Sequence, residues 1–150
     1  MRNGYSLDLV KLTPKNMGQV RVLNQHCFPV LYRDSFYEQL LANTELTRLG
    51  YFADCLVSAI GCKIESKCLY IMTLGVLSEY RRFGFGTQLL KLATEKGLSE
   101  KLSEIALHVQ TTNVDALEFY KSHGFRIERE EADYYPQLKP SSAYYLVKNL

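Results

Sequence analysis

Apolar positions alternate at Tyr5, Leu7 and Leu9 and then meet Thr13-Pro14, which predicts a strand over 5–12 running into a helix with a hydroxyl cap and a first-turn proline. Met17, Val20, Leu23 and Cys27 recur at helical spacing until Pro29, and Ser35 to Ala42 reads as a second, shorter helix. From Leu46 to Val76 the pattern changes to three apolar, β-branched and aromatic runs. They are parted by Ala53-Asp54 and Glu65-Ser66-Lys67, turns short enough for an antiparallel meander. After Gly84 and Gly86, Leu89, Leu90, Leu92 and Ala93 mark a helix face ending near Gly97 or Ser99. Ile105 to Gln110 is then a strand, Asn113 to Ser122 a helix capped by Asn113 and closed by Gly124, and Phe125 to Arg129 and Ala143 to Lys148 two further strands. The order β-α-α-β-β-β-α-β-α-β-β, without repeat or linker, predicts an α/β fold: one mixed sheet flanked by about four helices.

Composition narrows the classes. The 150 residues, 47% hydrophobic and 23% charged, suit one globular domain over 1–150. Eighteen Lys and Arg against sixteen Asp and Glu give a net charge of +2, and the basic residues scatter except at Arg81-Arg82, so no direct nucleic-acid partner is expected. Cys27, Cys55, Cys62 and Cys68 form no C-x-x-C pair and the histidines have no metal spacing, so reduced thiols and no metal are expected. Arg2, Asp8, Lys11 and Lys15 interrupt the first twenty residues, and no uncharged stretch approaches the ~20 residues of a membrane span. The expectation is a soluble protein of a reducing compartment, most simply the cytoplasm.

The segment with chemistry is Leu69-Tyr-Ile-Met-Thr-Leu-Gly-Val-Leu77 followed by Ser78-Glu-Tyr-Arg-Arg-Phe-Gly-Phe-Gly-Thr87. It reads as a buried strand, a basic turn and a helix start. Helix N-termini present N–H groups and a positive dipole end, glycines admit a phosphate close to the backbone, and Arg81 and Arg82 add charge. Such a turn suits a pyrophosphate. It has neither the G-x-G-x-x-G spacing of a dinucleotide fold nor the G-K-[ST] of a Walker loop. Arg81-Arg-Phe-Gly-Phe-Gly86 resembles the R-x-x-G-x-G acetyl-CoA signature of the GNAT superfamily, and Asn113-Val-Asp-Ala-Leu-Glu-Phe-Tyr-Lys-Ser-His-Gly-Phe125 is similar to its N-x-x-A-x-x-x-Y-x-x-x-G-F segment. The resemblance implies a single-domain fold whose mostly antiparallel sheet contains a splayed parallel pair. It also implies a cofactor site: Leu74, Gly75 and Val76 on the acetyl side, and Arg81, Arg82, Phe83, Gly84, Phe85, Gly86 and Thr87 at the pyrophosphate. Asn113 would contact the cofactor, and Tyr120 would stand near the thioester sulfur, placed to protonate the departing thiolate.

Alternation in the two central strands puts Tyr70, Met72 and Leu74 on one face of theirs, and sets His108 apart from Ile105, Leu107 and Val109 in the other. On its own a strand histidine is more often a structural residue. Leu69–Gly75, Leu107–Gln110, Phe28–Tyr32 and Asp133–Tyr135, however, each resemble a segment of the NatE-type (San) N-terminal acetyltransferases, in register from about residue 8 to Leu150. That resemblance implies Tyr70 and His108 acting through ordered water as the general base. It implies a peptide pocket of Phe28, Pro29, Val30, Tyr32, Met72, Tyr134, Tyr135 and Leu138, and protein N-termini beginning with Met and an apolar residue as substrates. It further implies a ribosome-associated partner, an auxiliary scaffold with its own catalytic subunit, and a cytoplasmic location with the nucleus as an alternative. An α-amine, pKa ~7.7–8.0, needs less help to deprotonate than a lysine at ~10.4. Two other readings stay open: a GNAT acting on lysine side chains or small amines, and a weakly active docking subunit. Glu130-Glu131-Ala132 reads either as a bias toward cationic peptides or as solvated surface.

Overall fold

The computed structural model describes residues 5–150; Arg2 lies outside the described residues. In chain order the elements are β1 (Asp8–Lys11), α1 (Met17–Cys27), α2 (Asp34–Ala42), β2 (Thr47–Phe52), β3 (Cys55–Glu65), β4 (Cys68–Val76), α3 (Phe85–Ser99), β5 (Glu104–Gln110), α4 (Val114–Ser122), β6 (Arg126–Glu131) and β7 (Ala143–Asn149), the order that the apolar pattern predicts. The seven strands form one mixed sheet in the order β1-β2-β3-β4-β5-β7-β6. Its parallel pair is β4 with β5, joined over three register positions from Cys68↔Glu104 to Tyr70↔Ala106.

The chain packs as two compact units, the first running to Lys63 and including Ile71–Lys96, the second comprising Ile64–Tyr70 and Gly97–Leu150. In the first, Met17, Val20 and Leu23 of α1 and Tyr37 and Leu40 of α2 bury one helical face against Leu49 and Ala59 of β2 and β3. The β2–β3 turn places Ala53 and Asp54 at φ 52° and 65°, as a two-residue hairpin turn requires. In the second, β5 pairs with β7 over all seven of its residues, and β7 pairs with β6 across one register shift between Ile127 and Arg129. Helix α4 is capped as its sequence predicts: Asn113 Oδ1 accepts from Ala116 N at 3.2 Å, and Gly124 leaves the helix at φ 93°.

Two local expectations give way. α1 opens at Met17, not at Thr13-Pro14, because the Asn16 amide closes a turn first: its Oδ1 accepts from Thr13 N at 2.8 Å and its Nδ2 donates to Lys11 O at 3.1 Å. The predicted first strand shortens to Asp8–Lys11 at the sheet edge, where Leu9 is exposed; the buried residues are Leu7 and Leu12, on either side of the strand.

Candidate active site

In the first unit β4 delivers the chain to the glycine turn. Leu74 and Val76 lie on its half-buried face and Gly75 on its buried one. Gly75 is required by a close approach: a β-carbon there would stand 3.0 Å from Phe28 Cζ and 3.1 Å from Cys27 Cβ. The strand end is tied to the turn by Arg81, whose Nε donates to the Val76 carbonyl at 3.0 Å. Arg82 follows at φ 76° and Gly84 at φ 82°, a double left-handed bend that only Gly84 makes without cost, and α3 starts at once with Phe85. Its first i→i+4 bond is Gln88 N to Gly84 O, 3.0 Å. The amides of the first turn therefore lie ahead of the helical ladder, in the geometry that receives an anion. Phe85 is fully buried, whereas Phe83 stacks on Tyr5 with centroids 4.9 Å apart. Thr87 sits in the same first turn.

The same unit holds five of the residues expected at the peptide pocket. Phe28 meets Tyr32 edge-on at 5.9 Å, Tyr32 stacks on Phe36 at 4.1 Å, and Met72 and Tyr32 both pack on the helical core. Pro29 and Val30 lie in the loop after α1, beside exposed Leu31. Cys27, beneath Gly75, has its thiol pushed up by burial despite the opposing charge of Arg81, so it stays protonated.

The second unit brings the predicted base together. Tyr70 Oη and His108 Nδ1 are 2.6 Å apart, and Tyr134 Oη lies 3.1 Å from Tyr70 Oη. The Tyr134 ring stacks on the imidazole at 3.9 Å and 12°. Its loop is held in place by Tyr135 N bonding Ser141 O at 2.8 Å, Leu138 N bonding Tyr135 O at 2.9 Å, and the Gln110 side chain bonding Pro140 O at 2.8 Å. Burial lowers the His108 pKa from its ordinary value, with Glu131 opposing, so the imidazole is neutral near pH 7. Burial, reinforced by Tyr134, raises the Tyr70 phenol well beyond the physiological range, and burial pushes Tyr135 up to about 12. Tyr70 therefore keeps its proton, and the direction of its 2.6 Å hydrogen bond with His108 Nδ1 is set by the imidazole tautomer. A buried phenol donating to a neutral imidazole is a ready path for one proton.

Three residues at this site escape the sequence reading. Glu131 Oε2 stands 3.2 Å from His108 Nε2 and accepts from Arg129 Nε at 2.9 Å, while the Arg129 guanidinium lies 4.1 Å over the Tyr145 ring, itself 5.0 Å from the imidazole. Glu131 is thus engaged with His108 and Arg129, against its reading as solvated surface, whereas Glu130 is exposed. The signal was register: His108 pairs with Tyr145, and Tyr145 with Arg129. Tyr120 is buried in the same unit, its ring edge-on to Phe125 at 5.4 Å, and Asn113 is occupied in capping α4. Among the described residues no group of three His, Cys, Asp or Glu could hold a metal, and no helix is long and apolar enough to cross a membrane.

Residues 17–125 match the acetyltransferase (GNAT) family. The chain is 41% identical to N-alpha-acetyltransferase 50 of Danio rerio, over 96% of this chain and 89% of that one. It is also 41% identical to the probable N-acetyltransferase san of Drosophila melanogaster, over 97% of this chain and 82% of that one. Among solved structures it resembles Arabidopsis thaliana Naa50 in complex with the bisubstrate analogue CoA-Ac-MVNAL, at 40% identity and a TM-score of 0.89 over 97% of this chain and 100% of that one.

Proposed function

This chain belongs to the acetyltransferase (GNAT) family and is an N-alpha-acetyltransferase that takes its acetyl group from acetyl-CoA, and from that premise we propose that its substrates are protein N-termini beginning with Met and an apolar residue, deprotonated through Tyr70 and His108. The observation that carries the reading is the 2.6 Å contact between Tyr70 and a neutral His108. The amine nitrogen attacks the thioester carbonyl, the C–N bond forms and the C–S bond breaks. One proton leaves nitrogen, through water to Tyr70 Oη, as Tyr70 passes its own proton to His108 Nδ1. The departing thiolate takes a proton from the Tyr120 phenol. The analogue bound to the Arabidopsis relative begins Met-Val, which supports the preference for Met and an apolar residue, and the Phe28-Tyr32-Phe36 ladder supplies aromatic surface for such a side chain.

The turn from Arg81 to Thr87 holds the CoA pyrophosphate in this reading. Arg81→Ala removes both its charge and its bond to Val76 O. It is expected to raise the KM for acetyl-CoA roughly tenfold, the scale of one charged hydrogen bond at a partly exposed site, with little change in peptide KM. Initial rates with each substrate varied in turn measure this; an unchanged acetyl-CoA KM removes Arg81 from the site. Gly75→Ala presses on Phe28 from 3.0 Å and is expected to raise peptide KM by about threefold to tenfold, as small displacements of positioning groups do. Unaltered peptide KM would separate Phe28 from the pocket.

The protein acts in the cytoplasm on nascent chains, brought to the ribosome by an auxiliary scaffold that carries a second catalytic subunit. The discriminating experiment mixes the pure protein and acetyl-CoA with two peptides, one starting Met-Leu with its lysines blocked, the other N-terminally blocked with a free lysine, and reads the products by mass spectrometry. Product from the first alone supports the N-terminal reading; product from the second alone transfers the enzyme to side-chain acetylation.

A further inference from the structure

We propose that Glu131 is the positioning residue of the proton path: its carboxylate holds His108 as the Nε2–H tautomer, so that the Nδ1 lone pair faces Tyr70. The inference rests on the base assignment above. A neutral imidazole carries one N–H, and which nitrogen holds it is set by the partner at the other. Tyr70 Oη lies 2.6 Å from Nδ1 and Glu131 Oε2 lies 3.2 Å from Nε2. A carboxylate only accepts, so the proton belongs on Nε2 and the lone pair on Nδ1. Nε2 is buried and makes no hydrogen bond, so its 3.2 Å contact with Oε2 is chiefly electrostatic. With Nε2–H turned elsewhere, nothing would favour this tautomer over one with the proton on Nδ1, which could not accept from Tyr70.

Glu131 is itself held. The strand register aligns His108 of β5, Tyr145 of β7 and Arg129 of β6 in one row, and two positions toward the loop the next row on that face is Gln110, Ala143 and Glu131. Arg129 closes the circuit, lying over Tyr145 and donating to the same Oε2 that faces His108. The groups around the imidazole are thus Tyr70 from β4, Tyr134 from the β6–β7 loop, Tyr145 from β7, and Glu131 and Arg129 from β6. Of the two charges, Glu131 favours the imidazolium that forms when the amine is deprotonated, and Arg129 opposes it. His108, with help from Arg129, in turn holds the Glu131 carboxyl below its ordinary range, so it is ionised wherever the enzyme works.

Two variants separate the carboxylate's charge from its acceptor. Glu131→Gln keeps an acceptor and loses the charge; Glu131→Leu loses both. Nitrogen-15 NMR of the ring of His108, assigned with His108→Ala, reads tautomer and pKa, and steady-state assays of the same proteins read kcat/KM against pH. Glu131→Gln is expected to lower the His108 pKa while keeping the Nε2–H tautomer. Glu131→Leu is expected to lower the pKa, populate the Nδ1–H tautomer and reduce kcat/KM for a Met-Leu peptide roughly tenfold, with acetyl-CoA KM unchanged. A tautomer and pKa unmoved in Glu131→Leu overturn the proposal whatever the rate does, and so does a tautomer change with no loss of rate. Failure of the base assignment is read separately, from a His108→Ala enzyme of full activity.

Discussion

His108→Ala is expected to lower kcat/KM for a Met-Leu peptide by about 10²–10³, within the range that a positioned general base supplies. The KM for acetyl-CoA should hardly move, because the imidazole lies among Tyr70, Tyr134, Tyr145 and Glu131 while the glycine turn is built by other residues, Arg81 to Thr87. The pH profile sharpens the test. A base must be neutral to accept a proton, so the wild-type rate falls on acidification through the His108 pKa, which burial sets below its ordinary ~6.5. The free amine of the substrate adds a second, higher limb near its own pKa of ~7.7–8.0. In the wild type kcat/KM therefore steepens at low pH. In the alanine variant the lower limb should vanish and the amine limb remain. A steepening that survives in His108→Ala would place the titrating group elsewhere.

Much of this site is legible in the chain because its signals are local. The glycine turn is written within six residues, Arg81 to Gly86, and the α4 cap within four, Asn113 to Ala116; neither depends on what packs against it. Alternation in β4 and β5 similarly sets Tyr70 and His108 on the face opposite Leu69, Ile71, Ile105, Leu107 and Val109, all of them buried, although Ala106 on the His108 face is buried as well. What brings the two to hydrogen-bonding distance is the parallel register of Tyr70 with Ala106, which period-two patterning leaves open. Glu131 was illegible for the same reason, made worse by the bulge: the register shift between Ile127 and Arg129 changes which β6 side chains share a face with Tyr145. A run reading Arg-Ile-Glu-Arg-Glu-Glu looks like solvated edge strand until its partner strand is known. Asn16 illustrates the opposite failure, in which a Thr-Pro helix signal is overridden by one side chain that closes a turn at both ends.

Tyr70→Phe is expected to cost on the order of 10² in kcat with the acidic limb of the profile intact, and that combination distinguishes a relay from a base. The two roles predict different losses because the phenol never ionises in the working range: burial and the neighbouring Tyr134 hold its pKa far above neutrality. In the proposed role it contributes by passing a proton, receiving one at Oη from water or the amine while its own crosses the contact to Nδ1, whose heavy atoms are 2.6 Å apart. Phenylalanine keeps the ring beside the imidazole and removes only that atom. His108 still titrates and still sets the lower limb, now facing the amine through a gap that a water must span, with its pKa moved only as far as the lost donor to Nδ1 allows. Because a donor to Nδ1 favours the neutral imidazole, its removal raises that pKa, so the limb should move slightly to higher pH. Rates of CoA release measured for both enzymes across the same pH range give both quantities at once. If the Tyr70→Phe profile lost its acidic limb altogether, the proton acceptor would be a unit that exists only with the phenol present, and His108 alone could not be called the base.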